Sequence, residues 1–312
     1  PQYVDASDFS EGFASVYTKG KWGFINHRGN LSIPAHFAET KPFKNGLAGA
    51  KKNGKWGFIR FDGEFQIEPK FDKIDDFNEG VALVRTEKGY QYILPSGELA
   101  INRTFKWATP FSEGLAGVEI DKRYFFIDTD GKKQLRSRFQ PSRSFSDGLA
   151  IISRKDRISY KRGYINRKGK LVCKARYPSP SDFSSGRALV WYKLPSFNTK
   201  RWALLNTSGE VVRTFDSCRR LYTCHQKPFQ EGLLPVLIGK RYGYVDSNGE
   251  IVIKPYFWDA APFSEGLAAV GTKNGYGYIN HAGKFMIRPQ YGSARPFREG
   301  LAVVYGHTGE YY

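Results

Sequence analysis

Phe43-Lys44-Asn45-Gly46-Leu47-Ala48, then Asn53-Gly54-Lys55-Trp56-Gly57-Phe58-Ile59, then Asp62-Gly63, Ile67, Pro69 and Phe71: this stretch decides the fold, because the whole chain repeats it. The clearest landmark is Phe-x-Glu-Gly, whose phenylalanines are Phe9, Phe43, Phe77, Phe111, Phe145, Phe183, Phe229, Phe263 and Phe297. Their spacings are 34, 34, 34, 34, 38, 46, 34 and 34. A second series keeps the same step through Trp22, Trp56, Tyr90, Tyr124, Arg162, Trp202, Tyr242 and Tyr276. A fixed period of this size marks stacked supersecondary units, each too small to bury its own apolar faces. The chain opens late in one unit and closes in the middle of another, so it reads as a piece or processed form of a longer chain, with other domains of that chain among its candidate partners.

Within a unit, Leu47-Ala48-Gly49-Ala50 opens a first strand, and Asn53-Gly54 turns it, since both residues tolerate positive φ. Trp56-Gly57-Phe58-Ile59 makes the second strand. Asp62-Gly63 turns again into a third strand through Phe65, Ile67 and Pro69, with proline placed at its end because it cannot donate to a ladder. Successive side chains alternate between faces, so Trp56 and Phe58 share one and Gly57 and Ile59 the other. Both faces are apolar or small and must be covered by neighbouring units, with Gly57 leaving room for an adjacent ring. The expectation is an all-β tandem array of about nine 34-residue three-stranded β-meander units over residues 1–312. An open superhelix or solenoid is preferred to a closed propeller-like ring, because propeller blades usually have four strands.

Lys21-Trp22-Gly23-Phe24-Ile25 and Lys55-Trp56-Gly57-Phe58-Ile59 resemble the WG (KWG) β-repeat family over essentially all of the chain. The resemblance implies a β-rich binding or scaffold module, mainly bacterial, with no catalytic residues to carry over. Gln91, Phe125 and Ala203 replace the motif glycine in three units, where close packing is not expected.

The units are unequal. All of the excess length falls between Phe145 and Phe229, so residues 145–229 form a divergent sector with extended loops. Two insertions lengthen the same hairpin, first strand to second, in adjacent units; a third enlarges the loop holding Cys218, Arg219, Arg220, Cys224 and His225. Charge follows length. Residues 121–241 hold 27 lysines and arginines against 9 aspartates and glutamates, a net +18 that equals the charge of the whole chain. The remaining residues balance at 21 of each sign. The usual proline is also missing there, with Arg103, Ser137, Ala175 and Phe215 in the places of Pro69 and Pro289.

Clustered cations beside stackable rings suit a polyanion, since basic groups neutralise phosphates and aromatic rings stack on bases. The candidate anion- or nucleic-acid-binding residues are Arg154, Lys155, Arg157, Lys161, Arg162, Trp191, Tyr192, Lys193, Lys200, Arg201, Arg219 and Arg220. Tyr160 lies among them. Trp202 falls on the regular aromatic series and reads as packing, whereas Trp191 and Tyr192 lie off it and read as exposed. The expected partner is nucleic acid, RNA or DNA, or an acidic protein surface. The alternative is a general protein-interaction array, envelope-associated or accessory to an enzyme elsewhere in a longer chain.

Other chemistry is set aside. Cys173 aligns with Ile67 and reads as a small buried hydrophobe, and three cysteines do not make a disulfide framework or a usual zinc spacing. The recurring Glu11, Glu79, Glu113, Glu265 and Glu299 read as turn residues rather than cation sites, since Asn45 and Ser185 take the same slot. Nothing places a nucleophile beside a base, so no enzymatic activity and no cofactor or metal is expected. No apolar run reaches the roughly 18 residues of a membrane span, and a cytoplasmic setting is favoured.

Overall fold

The computed structural model describes residues 3–155, 160–193, 200–215 and 229–306. The chain is all-β; among the described residues every regular element is a strand or a turn. Two compact bodies are formed, one by Pro1–Gln134 with Phe297–Tyr312 and the other by Leu135–Pro296. Both are built from small antiparallel sheets.

The Phe43 repeat shows the plan. Leu47–Lys52 pairs with Lys55–Ile59, which pairs with Phe65–Phe71, as the turn residues require. A further strand, Glu39–Lys44, leads in and pairs with Leu47–Lys52, so the sheet has four strands. The same lead-in appears as Asp5–Ala6, Lys73–Ile74, Gln140–Ser146 and Asp259–Ala260. Several are only two residues long, and so short a strand leaves no alternating pattern to read.

The motif glycine serves a different purpose from the one expected. A Cβ on Gly23 would lie 2.6 Å from the Ile33 carbonyl oxygen, and one on Gly277 would lie 2.6 Å from that of Ile287. The obstacle is the third strand of the same repeat, not a neighbour's ring. There the third strand bulges: Trp56 pairs with Phe71 but Phe58 with Ile67, so extra residues crowd over Gly57. Pro69 therefore lies inside the strand Phe65–Phe71 rather than at its end, at a bulge where its missing N–H costs no ladder bond. The Phe183 repeat shows the converse. With Ala203 in place of glycine, Trp202, Ala203 and Leu204 pair in unbroken register with Phe215, Thr214 and Arg213. Phe215 thus takes the structural place of Phe71, not of Pro69.

Burial is shared between consecutive repeats. One face of the Phe43 sheet packs Trp56 and Phe58 with Ile74, Phe77, Ala82 and Val84 of the following repeat. The other face packs Ile59 with Phe24, Ile33 and Phe37 of the preceding one. In five repeats the central aromatic of the second strand meets the next landmark phenylalanine, whereas the Phe183 repeat has Leu204 there, packed with Phe229. The ring centroids lie 5.0 Å apart for Phe24–Phe43, 4.8 Å for Phe58–Phe77, Tyr92–Phe111 and Tyr164–Phe183, and 4.9 Å for Tyr244–Phe263. Where this residue is tyrosine, its hydroxyl donates to a carbonyl just before that phenylalanine: Tyr92 to Thr109 at 2.6 Å, Tyr164 to Ser181 at 2.6 Å and Tyr244 to Ala261 at 2.7 Å. Burial holds all three hydroxyls in the neutral, donating form.

Phe-x-Glu-Gly is a two-residue hairpin turn in which both central residues are left-handed, with φ of 53° at Glu11 and 85° at Gly12. Glutamate is a poor choice for such a conformation, which costs a non-glycine residue roughly 1–2 kcal/mol. The compensation comes from the next repeat. The Glu11 carboxylate accepts from the amides of Asn45 at 2.6 Å and Gly46 at 2.9 Å. Glu79 accepts from Gly114, Asp147 from Gly186 and Glu231 from Gly266. Glu299 closes the first body in the same way, accepting from Glu11 at 2.5 Å and Gly12 at 2.9 Å. Two successive left-handed residues aim their N–H groups into one concavity that suits an anion. The slot before the glutamate adds a second link: Ser10, Asn78, Ser146 and Ser184 each donate to the carbonyl of the next landmark phenylalanine. Lys44 lacks that chemistry, and Asn45 makes the bond instead, to Phe77 at 2.9 Å.

Two outcomes follow. Gly57→Ala must displace third-strand backbone and should cost about 1–3 kcal/mol in urea unfolding. Ala203→Gly, where no bulge presses, should cost only the roughly 0.5–1 kcal/mol of added backbone freedom. Second, burial opposes the charge on Glu299, but the Gly12 and Glu11 amides and His27 outweigh it and hold its carboxyl below the ordinary value. A depressed folded-state value stabilises above the unfolded carboxylate range and loses that contribution as pH falls through the folded value. Wild type should therefore exceed Glu299→Gln in stability at pH 6, and the gap should close below about pH 4; a gap unchanged by pH in parallel melts would contradict the staple.

Candidate functional site

In the two divergent hairpins the first and second strands run slightly longer than in their sisters, and the residues between them, 156–159 and 194–199, lie outside the described residues. Leu149–Lys155 and Tyr160–Asn166 pair over seven rungs, from Leu149↔Asn166 to Lys155↔Tyr160. Arg187–Lys193 and Lys200–Asn206 also pair over seven, from Arg187↔Asn206 to Lys193↔Lys200. The corresponding hairpins of the Phe77, Phe229 and Phe263 repeats stop after five. Each long hairpin adds one rung at its base and one at its tip, Lys155↔Tyr160 and Lys193↔Lys200; the Arg154↔Lys161 rung takes the place of Lys52↔Lys55 in the Phe43 repeat.

Register places the candidates. Arg154 stands opposite Lys161, so both lie on one face, while Ser153↔Arg162 and Lys155↔Tyr160 lie on the other. Arg154 and Lys155 are exposed, Tyr160 is 51% exposed and Lys161 is half-buried. Arg162 is committed to the fold, donating through its guanidinium to the Pro178 carbonyl. In the second hairpin Tyr192 stands opposite Arg201 and Lys193 opposite Lys200. Trp191 is half-buried rather than fully exposed and lies opposite Trp202, their ring centroids 6.5 Å apart. Trp202 in turn packs on the core around Leu204 and Phe229, as its place in the aromatic series implied. Arg157, Arg219 and Arg220, with Cys218, Cys224 and His225, lie outside the described residues. Cys173 is a buried, free thiol in the core with Tyr164 and Tyr177.

Electrostatic surroundings separate these tips from ordinary surface charge. In the first body Lys55, in the rung Lys52↔Lys55, has acidic partners, 2.6 Å from Asp72 and 3.7 Å from Glu87, and Lys51 lies 2.5 Å from Glu39. The hydrogen bond to Asp72, with help from Glu87, holds the Lys55 ammonium above its ordinary value. The Lys55–Glu87 contact also shows that hairpin tips of consecutive repeats emerge side by side. Arg154, Lys155 and Lys161 have no carboxylate within ion-pair distance among the described residues. Like charges directly opposite on a ladder are destabilising, so the Arg154–Lys161 pair is a local cost that the fold does not require.

A groove of about 550 Å³ opens in the first body, lined by Lys55, Lys70, Phe71, Glu87, Lys88 and Gln91. It lies where Gln91 replaces the motif glycine and the third segment of that repeat touches its neighbour only through isolated bridges. Its central cation is already neutralised by Asp72 and Glu87.

The profile of the WG containing repeat matches residues 1–22, 22–56, 56–90, 92–124, 163–190, 242–275 and 276–305. The chain belongs to the WG-repeat family. The match passes over residues 125–162 and 191–241, which hold the long hairpins and most of the excess charge. No curated protein matches the sequence. Among solved structures, a eukaryotic initiation factor aligns at 11% identity over 93% of this chain and 96% of its own, with a TM-score of 0.45. The WD40 domain of Pan2 from Neurospora crassa aligns at 10% identity over 86% and 85%, with a TM-score of 0.38. An uncharacterized protein from Listeria monocytogenes aligns at 12% over 77% and 90%, with a TM-score of 0.41. At these identities the likeness concerns the β-rich fold alone. The WG-repeat chain is a repeat module of the binding or scaffold type. Among the described residues no helix is long and apolar enough to cross a membrane.

A stability measurement tests the cost assigned to the paired cations. Lys161→Glu converts the Arg154–Lys161 rung into an opposite-charge pair and should raise stability by about 0.2–1 kcal/mol at low salt. The gain should fade at high salt as the charges are screened.

Proposed function

We propose that this WG-repeat protein is a non-catalytic scaffold whose extended basic hairpins, Leu149–Lys155 with Tyr160–Asn166 and Arg187–Lys193 with Lys200–Asn206, grip a polyanion, single-stranded nucleic acid in particular. The observation that carries the reading is the Arg154–Lys161 rung. Two cations face each other at an exposed tip, with no acidic neighbour among the described residues. An incoming phosphate offsets that repulsion and adds the release of its own counterions. Exposed Tyr160 and half-buried Trp191 set rings beside the cations, the arrangement that lets unpaired bases stack without sequence preference. The concentration of net charge in the part that departs from the family pattern supports the same reading.

The test is salt-dependent binding of a labelled oligothymidine. Wild type should bind with an affinity that falls linearly with salt on logarithmic axes, at about 0.7 per phosphate contact. The triple variant Arg154→Glu, Lys155→Glu and Lys161→Glu should lose most of the affinity, with a slope shallower by about 2. Absence of binding by the wild type at low salt overturns the reading. Preferential binding to an acidic polypeptide such as polyglutamate would redirect it to a protein partner.

A further inference from the structure

The position occupied by the Lys55 ion-pair cluster in the first body has a counterpart in the second whose chemistry is changed throughout. Each cluster is defined by the same landmarks. Lys55 and Arg241 precede the aromatic of the second strand; Asp72 and Trp258 follow the phenylalanine that ends the third; Glu87 and Lys273 sit in the next hairpin turn, after Thr86 and Thr272. The two carboxylates that neutralise Lys55 are therefore replaced by an indole and an ammonium. Lys70, beside Phe71, is likewise replaced by Tyr256, beside Phe257.

The indole is not core. Trp258 is 53% exposed and Tyr256 66% exposed, both high for such large rings. Sister repeats put His36 and Ala38, or Gln290 and Gly292, in these two places, so the backbone does not demand aromatics there. The Arg241 guanidinium lies 5.3 Å from the Trp258 ring centroid, where the ring quadrupole attracts the cation. Lys240, adjacent to Arg241, and Lys273, in the hairpin turn of the next repeat, are exposed. Asp259, next to Trp258, accepts the Tyr276 hydroxyl at 2.8 Å. Burial first, and then Asp259, push that hydroxyl up to about 12, which keeps it a donor and keeps the carboxylate occupied.

We propose that Trp258 and Tyr256, with Arg241 and Lys273, form a base-stacking site for single-stranded nucleic acid, separate from the basic hairpins. This rests on the anion-binding reading above and extends it along the second body. The physical argument is the pairing of functions: a flat exposed ring takes the face of a base, while Arg241 and Lys273 neutralise the flanking phosphates. An apolar docking patch would not need both acidic positions of the cluster converted at once.

The experiment uses the full chain and two oligomers of equal length and charge, oligothymidine and its abasic analogue. The substitutions are those the protein itself uses in sister repeats, Trp258→Ala and Tyr256→Gln, so folding is expected to survive and is checked by urea unfolding. Wild type should prefer oligothymidine to the abasic strand, and the double variant should lose that preference with about ten-fold weaker oligothymidine binding. Its salt slope should be unchanged, because no phosphate contact is removed. Binding of oligothymidine should also quench tryptophan fluorescence in wild type by more than in Trp258→Ala. Equal affinity of wild type for the two oligomers, or a double variant that binds as wild type does, overturns the stacking site while leaving the basic hairpins intact. Loss of binding only in the hairpin triple variant identifies that second case, and no oligonucleotide binding by wild type removes both.

Discussion

The contact between the central aromatic of a second strand and the next landmark phenylalanine sustains this architecture. A sheet of three or four short strands with two apolar faces has no stable existence alone, and burial of each ring contributes roughly 1.5–3 kcal/mol. The contact links consecutive repeats rather than residues within one, so each repeat depends on its neighbours. It persists where little else does: Tyr164 and Phe183 keep a 4.8 Å ring separation although they join the two most divergent repeats. Where the aromatic is lost, as at Leu204, an aliphatic side chain fills the same place with Phe229. The outer hairpin of a repeat is free to change.

Around that apolar contact the chain lays polar links that share its direction. The glutamate of Phe-x-Glu-Gly adopts a backbone conformation better suited to asparagine or glycine, and its side chain explains why. Asparagine at this slot satisfies the turn but reaches a carbonyl, as Asn45 does with Phe77. Glutamate is long enough to reach the left-handed amides of the next turn, as Glu11 does with Asn45 and Gly46. Local strain in one repeat is thus offset by a charge-assisted hydrogen bond in the next. Such links fix the spacing between repeats more tightly than ring packing alone.

The rim follows a different logic, because nothing packs on it. In the first body Lys51 and Lys55 are matched by carboxylates, exposed pairs of little net consequence. In the second body two hairpins are longer, and around Arg241 an indole and an ammonium, Trp258 and Lys273, take the places of Asp72 and Glu87. These changes leave cations on the rim without the carboxylates that neutralise Lys55 in the first body, and it is on them that the proposed binding role rests.

The primary sequence determined the period, the all-β class, the hairpin turns and the sector where length and charge accumulate, because these are local or additive properties. Landmarks such as Asn53-Gly54 and the phenylalanine series keep their meaning whatever surrounds them. Only the tertiary structure decided what the recurring residues do for one another. Gly57 looked like space for a neighbour's ring and proved to be space for its own bulged third strand. Glu11 looked like a turn residue and is also a bond to the following repeat. Trp258 was invisible as a candidate until its exposure and the guanidinium beside it were known, since one tryptophan in an aromatic-rich chain carries no signal of its own. Pairing across a bulge and between repeats is a non-local choice among many registers of similar local merit, and it is settled only when the packed whole selects one.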